Sequence, residues 1–285
     1  MIIHDQKVRR LEKLANSIRR DIIAMLVKAG SGHSAGPLDM ADVFTALYFH
    51  ILHHRPKQPQ LEGRDRLVLS CGHICPVRYA AMARAGYFPL KTLSTLRKLG
   101  SPLQGHPELH KLRAVENTSG PLAQGTSVAV GMALAGKMDN KKWRVYGVLS
   151  DGEHQEGQTW EAVMFAGNKG LNNLTFLVDR NNIQIDGMTE EVMPLEPFAD
   201  KYRAFNWHVI EIDGHNIREI VDACEQAKRI YEKPTVIICH TIPGRGVEFM
   251  EKKYEWHGIP PNEEQAQEAL RDLRTLRGKI ISEHE

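Results

Sequence analysis

Apolar residues recur every three or four positions near the start of the chain. Between Val8 and Lys28 these positions are Leu11, Leu14, Ala15, Ile18, Ile22 and Met25. An α-helix turns once in about 3.6 residues, so this spacing puts them on one face and predicts an amphipathic helix. We predict further helices over Pro37–Ile51, Pro76–Ala85, Gly157–Lys169, Ile217–Ile230 and Glu263–Leu276. The first of these begins with proline, which is favoured in a first helical turn.

Short apolar runs are interleaved with these helices. They cover Arg66–Leu69, Val145–Leu149, Leu174–Val178, Trp207–Ile212 and Thr235–Cys239. Strands that alternate with helices form a parallel sheet covered on both faces. We therefore predict an α/β fold with a doubly wound, mostly parallel sheet. Because no repeat, low-complexity tract or Pro/Ser-rich linker interrupts the sequence, we expect a single domain over residues 1–285.

Two polar residues follow neighbouring strands of this predicted sheet. Asp151 comes just after Val145–Leu149, and Asn181 comes just after Leu174–Val178. The carboxyl ends of parallel strands lie at one edge of a sheet, where open α/β sheets bind their ligands. Carboxylate, amide and carbonyl oxygens suit Mg²⁺ or Ca²⁺ shared with a phosphate better than they suit zinc. The pattern favours a metal and phosphate site, although Asp and Asn are also common as caps of ordinary βα turns.

We single out four histidines that stand beside glycine in segments predicted to be loops. They are His33, His73, His106 and His257. Glycine lets a backbone approach a ligand closely, and a nearby imidazole offers hydrogen bonds to phosphate or carbonyl oxygens. One such pair is equally well explained by a structural histidine, but four in one chain indicate a convergent polar site.

Composition narrows the class of protein. With 42% hydrophobic and 25% charged residues, the chain has an ordinary globular composition. A formal net charge of +2 gives no basis for a nucleic-acid partner or an acidic membrane surface. No apolar run approaches the ~20 residues of a membrane span, and the N-terminal residues lack a signal-peptide stretch.

Cysteine usage indicates the compartment. The cysteines are Cys71, Cys75, Cys224 and Cys239. They are too few for a disulfide framework in a chain of this length, and no second pair completes a zinc site with Cys71 and Cys75. We expect buried free thiols and a cytoplasmic location.

Seven segments occur in the order found in transketolases. They are residues 31–33 (SGH), 69–73 (LSCGH), 105–108 (GHPE), 119–125 (SGPLAQG), 151–152 (DG), 179–187 (DRNNIQIDG) and 256–258 (WHG). They extend over nearly the whole chain, and seven matches in order are far more specific than a metal motif alone. The chain resembles the diphosphate-binding (PP) domain of the thiamine diphosphate (ThDP) enzyme transketolase. It therefore resembles the N-terminal subunit of a split transketolase.

The resemblance implies a metal site and a cofactor site. The side chains of Asp151 and Asn181 and the backbone carbonyl of Ile183 would bind Mg²⁺ (or Ca²⁺), which would hold two diphosphate oxygens of ThDP. The residues implied to contact the cofactor are Gly120, Pro121, Leu122 and Gly152 through the backbone, together with His73, His257 and Asn181.

The resemblance also implies catalytic residues. His33, His106 and His257 would line the substrate channel, bind hydroxyls of the donor sugar and move protons as general acids or bases. The implied reaction transfers a two-carbon ketol unit from a ketose to an aldose. Glu156 stands where the family keeps a glutamate that links cofactor sites across the subunit interface, and it is equally explained as a first-turn helix carboxylate.

Other parts of a complete transketolase do not fit in this chain. The glutamate that protonates the aminopyrimidine ring, the aromatic pocket for that ring and the arginines for the sugar phosphate belong to a pyrimidine-binding (Pyr) domain. The resemblance therefore implies that the partner is a C-terminal transketolase subunit, in an α₂β₂ heterotetramer acting on sugars or sugar phosphates. The chain alone is expected to catalyse nothing.

Three departures from the family pattern bear on function. Ser150 replaces a glycine before Asp151, and Arg180 stands where many full-length members have an acid. Residues 74–76 (ICP) diverge after the shared Gly72-His73. These changes are expected to alter the substrate end of the site more than the cofactor end.

Several alternatives stay open. The chain is also compatible with a split transketolase for non-phosphorylated, sulfonated or branched sugars, a 1-deoxyxylulose-phosphate synthase-like enzyme, or a 2-oxoacid dehydrogenase α-subunit. His33, His106 and the segment 256–258 favour contacts with sugar hydroxyls over a branched 2-oxoacid. A non-catalytic scaffold is disfavoured because Asp151 and Asn181 are both present.

Overall fold

A parallel sheet forms the centre of the protein, of which a computed structural model describes residues 3–275. The strands in this range are β1 (Arg66–Leu69), β2 (Val145–Ser150), β3 (Leu174–Arg180), β4 (Ile183–Gln184), β5 (Gly187–Met188), β6 (His208–Asp213) and β7 (Thr235–His240). Five of them form one sheet in the order β1-β2-β3-β7-β6, with every neighbouring pair parallel. Strands β4 and β5 form a short antiparallel hairpin. The predicted parallel sheet is confirmed.

The sheet is covered on both faces because successive residues of a strand point to opposite sides. In β2, Tyr146 and Val148 belong to one hydrophobic cluster, whereas Val145 and Leu149 belong to the other. All seven residues of β3 are buried. Because both faces of these strands are buried, their sequences are unbroken apolar runs and do not alternate between apolar and polar residues.

Ten α-helices lie within the described residues. They are α1 (Asp5–Ala29), α2 (Ala35–Asp39), α3 (Ala41–Ala46), α4 (Cys75–Ala85), α5 (Gln124–Met138), α6 (Gly157–Asn168), α7 (Thr189–Val192), α8 (Phe198–Ala204), α9 (Ile217–Ala227) and α10 (Glu263–Thr275). Helices α1, α3, α4, α9 and α10 supply the cluster on one face, and α5, α6 and α8 supply the cluster on the other. No helix in the described part of the chain combines the length and apolar character needed to cross a membrane. All four cysteines are buried with free thiols, as expected.

The prediction of one continuous helix over Pro37–Ile51 is wrong. Helix α2 begins two residues before Pro37, which is tolerated because the first turn of a helix does not need the missing N–H. The chain then leaves helical geometry at Met40, where ψ is 5°, and α3 ends in a π-helical turn over Leu47–Ile51. The other predicted helices are confirmed to within three residues at each end; Leu276 lies outside the described residues.

A buried ion pair fixes α1 against α3. Arg19 forms two hydrogen bonds with Asp42 and donates a third, of 2.9 Å, to the carbonyl of Leu38. His215 approaches the same carboxylate at 3.2 Å. Burial would raise the pKa of Asp42, but the Arg19 charge and the hydrogen bonds with His215 and Arg19 outweigh it and lower that pKa to about 2. The carboxylate is therefore ionised in the core at neutral pH.

Candidate active site

The predicted polar residues gather at the carboxyl edge of the sheet. His73 follows β1, Asp151 follows β2, Asn181 and Ile183 follow β3, and His257 lies in the long segment after β7. Ser150 pairs with Asp179 in the β2–β3 ladder, so the next residues of both strands emerge side by side. This edge is where a parallel sheet leaves room for a ligand.

The four glycine-flanked histidines converge. The ring centroid of His33 lies 4.9 Å from that of His73, 5.5 Å from that of His257 and 6.5 Å from that of His106. The rings of His73 and His257 are 5.1 Å apart. We call these four residues the histidine cluster. The structure brings together residues that are more than 200 positions apart in the sequence, and the roles assigned to them stay predictions.

Burial keeps the histidine cluster neutral. It lowers the pKa of His33 and of His257 to about 4, and the neighbouring His257, His106 and Arg97 add to the shift at His33. The pKa of His73 is also well below its usual value, and that of His106 is lowered by burial and by Arg97. At pH 7 each ring therefore has one N–H donor and one lone pair. Among the described residues, Nδ1 of His33 and Nδ1 of His257 are buried without a hydrogen-bond partner.

Asp151 is fully buried and held by backbone amides. Its Oδ1 accepts the N–H of Gly152 at 2.7 Å, and its Oδ2 accepts the N–H of Asn182 at 2.7 Å. Asn182 adopts a left-handed backbone with φ of 64°, a conformation that asparagine tolerates better than most residues. Burial raises the pKa of Asp151 to about 6, and the Arg180 charge limits the rise.

Asn181 is oriented by two acids. Its Nδ2 donates to Asp39 at 3.0 Å and to Asp179 at 3.0 Å, which turns Oδ1 away from them. That Oδ1 accepts the N–H of Ile183 at 3.1 Å. Burial raises the pKa of Asp39 and of Asp179, and the neighbouring Asp179 adds to the rise at Asp39. A proton is therefore retained between these acids at neutral pH.

Arg180, one of the departures from the family pattern, pairs with Asp151. Its guanidinium is 4% exposed and lies 3.2 Å from Oδ2 of Asp151. The same group contacts Glu190 at 2.7 Å and Glu196 at 2.9 Å. One cation thus links the carboxylate at the end of β2 to the segment that follows β5, a contact between residues that sequence spacing does not indicate.

The start of α5 is built around Glu153. This buried carboxyl group accepts the N–H of Ala123 at 2.5 Å and a hydrogen bond from Ser70. Burial raises the pKa of Glu153 to about 7. Ala123 has a left-handed backbone with φ of 67°, and Gly125 in the next turn passes so close to β1 that a Cβ would come within 2.5 Å of the Cα of Ser70. Glu153 therefore fixes the end of the predicted cofactor turn, Gly120-Pro121-Leu122.

Two predicted residues have less distinctive surroundings. The N–H of Gly152 is donated to Oδ1 of Asp151 at 2.7 Å. Glu156 is exposed at the start of α6 and makes no capping hydrogen bond. Within residues 3–275, no three His, Cys, Asp or Glu side chains are arranged to hold a metal, so the predicted metal set depends on an amide and a carbonyl beside Asp151.

Sequence analysis missed Glu153, Asp39 and the Arg180 ion pair. Glu153 lies two residues beyond Asp151, directly after the segment 151–152. Asp39 was detectable as a charged residue inside a run of apolar helical residues, since charged side chains are seldom buried without a partner.

The chain matches a known protein family over most of its length. The thiamine diphosphate binding domain of transketolase matches residues 11–275. The chain is 46% identical over 263 residues to the 6-deoxy-6-sulfo-D-fructose transketolase subunit SqwG of Clostridium sp. (strain MSTE9), covering 92% of this chain and 96% of that protein. It is 37% identical over 278 residues to an apulose-4-phosphate transketolase subunit of Phocaeicola vulgatus, covering 98% and 99% of the two chains.

Solved structures agree with this similarity. The transketolase of Campylobacter jejuni superposes with a TM-score of 0.88 at 35% identity, over 94% of this chain. The chain spans only 43% of that protein and 42% of human transketolase, to which it is 38% identical. It thus matches the subunit proteins over their length and the longer transketolases over less than half.

Proposed function

Because the chain belongs to the transketolase family, as its thiamine diphosphate binding domain, we propose that it is the diphosphate- and metal-binding subunit of a two-subunit transketolase. The proposed reaction moves a two-carbon ketol unit from a ketose to an aldose. The observation that carries the proposal is the convergence of the histidine cluster at the same sheet edge as Asp151 and Asn181.

Asp151, Asn181 and the carbonyl of Ile183 would hold Mg²⁺. The fit rests on donor chemistry, because each supplies a hard oxygen of the kind that Mg²⁺ and Ca²⁺ take. The amide of Asn181 is turned so that Oδ1, and not Nδ2, faces away from Asp39 and Asp179. Diphosphate oxygens and water would complete the coordination shell, which agrees with the small number of acidic side chains at the site.

His73, His257, Gly152 and the turn Gly120-Pro121-Leu122 would hold the diphosphate end of ThDP. The partnerless Nδ1 atoms of His33 and His257 support a polar ligand there, because buried polar groups rarely go without a hydrogen bond. ThDP, when bound, supplies the electron sink that this carbon–carbon chemistry requires.

His33, His106 and His257 would bind and orient the sugar. At pH 7 burial keeps these rings neutral, so each would donate its N–H to a hydroxyl or carbonyl oxygen and accept a hydrogen bond from a hydroxyl. A neutral ring at this position takes a proton from a hydroxyl without first losing its own.

A C-terminal transketolase subunit with a Pyr domain and its glutamate would complete the site, in an α₂β₂ assembly in the cytoplasm. Two relatives that match over nearly their full length are named as subunits, which supports a partner for this chain. Their names describe a sulfonated sugar and a sugar phosphate, so we propose an anionic sugar as substrate. A non-phosphorylated or branched sugar is the main alternative.

The first test is ketol transfer by the complex that co-purifies with the tagged chain from its native source. With ThDP and Mg²⁺ we expect transfer from a ketose phosphate to an aldose phosphate, none by the single chain, and loss on treatment with a chelator. Transfer by the rigorously purified single chain contradicts the need for a partner. Release of CO₂ from a 2-oxoacid indicates a dehydrogenase subunit instead.

Metal binding is tested in the same complex with Asp151→Asn. We expect its Mg²⁺-dependent ThDP affinity to fall more than about 100-fold, since loss of a residue behind a metal ligand already costs about 10- to 100-fold. Asp200→Asn is the matched control, because Asp200 is exposed on α8 and pairs only with the exposed Arg203 among the described residues. Wild-type complex without Mg²⁺-dependent ThDP binding supports a scaffold and not an enzyme.

A further inference from the structure

A buried cation adjoins the proposed metal site. The guanidinium of Arg180, the last residue of β3, is 4% exposed, and its Nη1 donates to Oδ2 of Asp151 at 3.2 Å. Of the three proposed metal ligands only Asp151 carries a charge, because Asn181 and Ile183 supply an amide oxygen and a carbonyl oxygen. An arginine remains protonated at any pH of interest. Its charge therefore opposes that of the one anionic ligand.

Arg180 is held in this position by its other contacts. Nη2 donates to Glu190 at 2.7 Å and to Glu196 at 2.9 Å, and Nη1 also donates to the hydroxyl of Thr189 at 3.1 Å. The ring of Phe198 lies 5.5 Å from Cζ. The two glutamates in turn accept backbone N–H groups of the segment that follows β5. These contacts keep the positive charge beside Asp151.

The charge of Arg180 acts against a free metal ion. A single charge within about 4–6 Å changes the affinity of a carboxylate for a proton by about 10- to 1000-fold, and it repels a divalent ion more strongly. Glu190 and Glu196 offset this repulsion only in part, since they are 36% and 61% exposed and water screens their charges. Mg²⁺ alone would therefore meet a neutralised carboxylate and two uncharged oxygens.

A diphosphate changes this balance. It would bring negative charge to the metal, and the same guanidinium that repels Mg²⁺ would attract the diphosphate. The repulsion of the metal and the attraction of the anion then offset each other when both are bound. The effect of Arg180 on Mg²⁺ should consequently be large for the free ion and small for the ion that is shared with a diphosphate.

We infer that Arg180 makes metal binding depend on the diphosphate, by weakening the affinity of the site for free Mg²⁺ and not for Mg²⁺ shared with ThDP. The inference rests on the proposed function for the metal and the cofactor. Because coupling between two ligands is reciprocal, Arg180 also makes the affinity for ThDP depend on Mg²⁺. Arg180 stands where many full-length transketolases have an acid, so this dependence would distinguish the chain from those members.

Calorimetric titration of the complex with Mg²⁺ tests the inference without turnover. It is done with and without saturating ThDP, and the heat of Mg²⁺ binding to free ThDP is subtracted. Arg180→Gln keeps a hydrogen-bond donor and removes the charge. We expect this variant to bind Mg²⁺ alone about 10-fold or more tightly than wild type does. In saturating ThDP we expect the two proteins to differ by less than about threefold, because the opposing effects cancel.

Two further variants separate charge from shape and from position. Arg180→Lys keeps the charge and should bind Mg²⁺ alone about as weakly as wild type. Arg203→Gln is the matched control, since Arg203 is 53% exposed on α8, and it should leave both affinities unchanged. Circular dichroism checks that each variant is folded. Unchanged or weaker binding of Mg²⁺ alone by Arg180→Gln overturns the inference, and so does an equal gain in Arg180→Lys.

Wild type provides a test that does not depend on the folding of a variant. We expect Mg²⁺ to bind wild type much more tightly with ThDP than without it, and equal affinities overturn the inference. Mg²⁺-dependent ThDP binding in wild type, without a gain for free Mg²⁺ in Arg180→Gln, removes the inference and leaves the proposed function intact. Wild type that binds no ThDP at any Mg²⁺ concentration removes both.

Discussion

Replacing Gly125 by alanine is expected to destabilise the protein, whereas the same change at Gly131 is expected to stabilise it. Both glycines lie in α5. A Cβ at Gly125 would lie 2.5 Å from the Cα and 2.7 Å from the Oγ of Ser70, but a Cβ at Gly131 would have no atom within 4 Å. Non-bonded carbon atoms prefer about 3.5–4.0 Å, so the start of α5 must move about 1 Å from the end of β1.

The size of the effect follows from that displacement. Overpacking costs about 1–3 kcal/mol, and the move also weakens the 3.1 Å hydrogen bond from the N–H of Thr126 to Ser70. We expect Gly125→Ala to lower the free energy of unfolding by about 2–3 kcal/mol, or the Tm by about 4–10 °C. Gly131→Ala removes only the helix penalty of glycine and should add about 0.5–1 kcal/mol.

Urea unfolding followed by circular dichroism, with calorimetry for Tm, measures both variants. A Gly125→Ala protein as stable as wild type would refute the close approach of α5 to β1. Shifts of the same sign in both variants would show that helix propensity, and not contact with Ser70, determines the result.

Three further predictions concern buried charges and thiols. Arg19→Met should lower the free energy of unfolding by about 3–5 kcal/mol, because Asp42 keeps a buried charge without its cation. Adding Asp42→Leu should restore most of this free energy, as measured by urea titration. Equal losses in the single and double variants would contradict the reasoning. Burial raises the pKa of Glu153 from 4.5 to about 7, so the native state binds a proton there more tightly than the unfolded state does. The stability that this proton contributes is lost as the pH rises from 4.5 through 7. Relative to Glu153→Gln, the free energy of unfolding of wild type should therefore fall by about 3 kcal/mol between pH 4.5 and pH 8. A difference between the urea midpoints of the two proteins that does not change with pH would argue against this. The four buried cysteines should react with a thiol reagent only in denaturant, so rapid labelling of the native chain would contradict their burial.

The sheet and the position of the site were predictable because both depend on short-range pattern. Apolar runs ending in Asp151 and Asn181 indicate strands, and the geometry of parallel strands brings their ends together. Glycine beside His33 and His257 indicated loops near a ligand. These inferences need only the order of residues along the chain and the regular geometry of helices and strands.

The contacts that shape the site were not predictable in this way. Asp39 reaches Asn181 across 142 positions, and Arg180 reaches Asp151 across 29. Such pairs depend on how α2 packs against the end of β3 and the residues that follow it. No local sequence pattern predicts this packing. The helix break at Met40 was unpredictable for the same reason. The local sequence is compatible with a continuous helix, and tertiary packing overrides this helical preference.

The order of strands in the sheet has a consequence for how the protein folds. Strand β1 pairs Arg66 with Val145 of β2, and β3 pairs Thr175 with Thr235 of β7, so neighbouring strands are joined only after long segments have been closed into loops. Closing such loops costs chain entropy before the pairing compensates for it, which makes topologies of this kind slow to form. His73 and Asp151 reach the same edge of the sheet only once this pairing exists. A cofactor or a partner protein therefore has nothing to recognise in the unfolded chain, and either one raises the apparent stability of the native state by mass action.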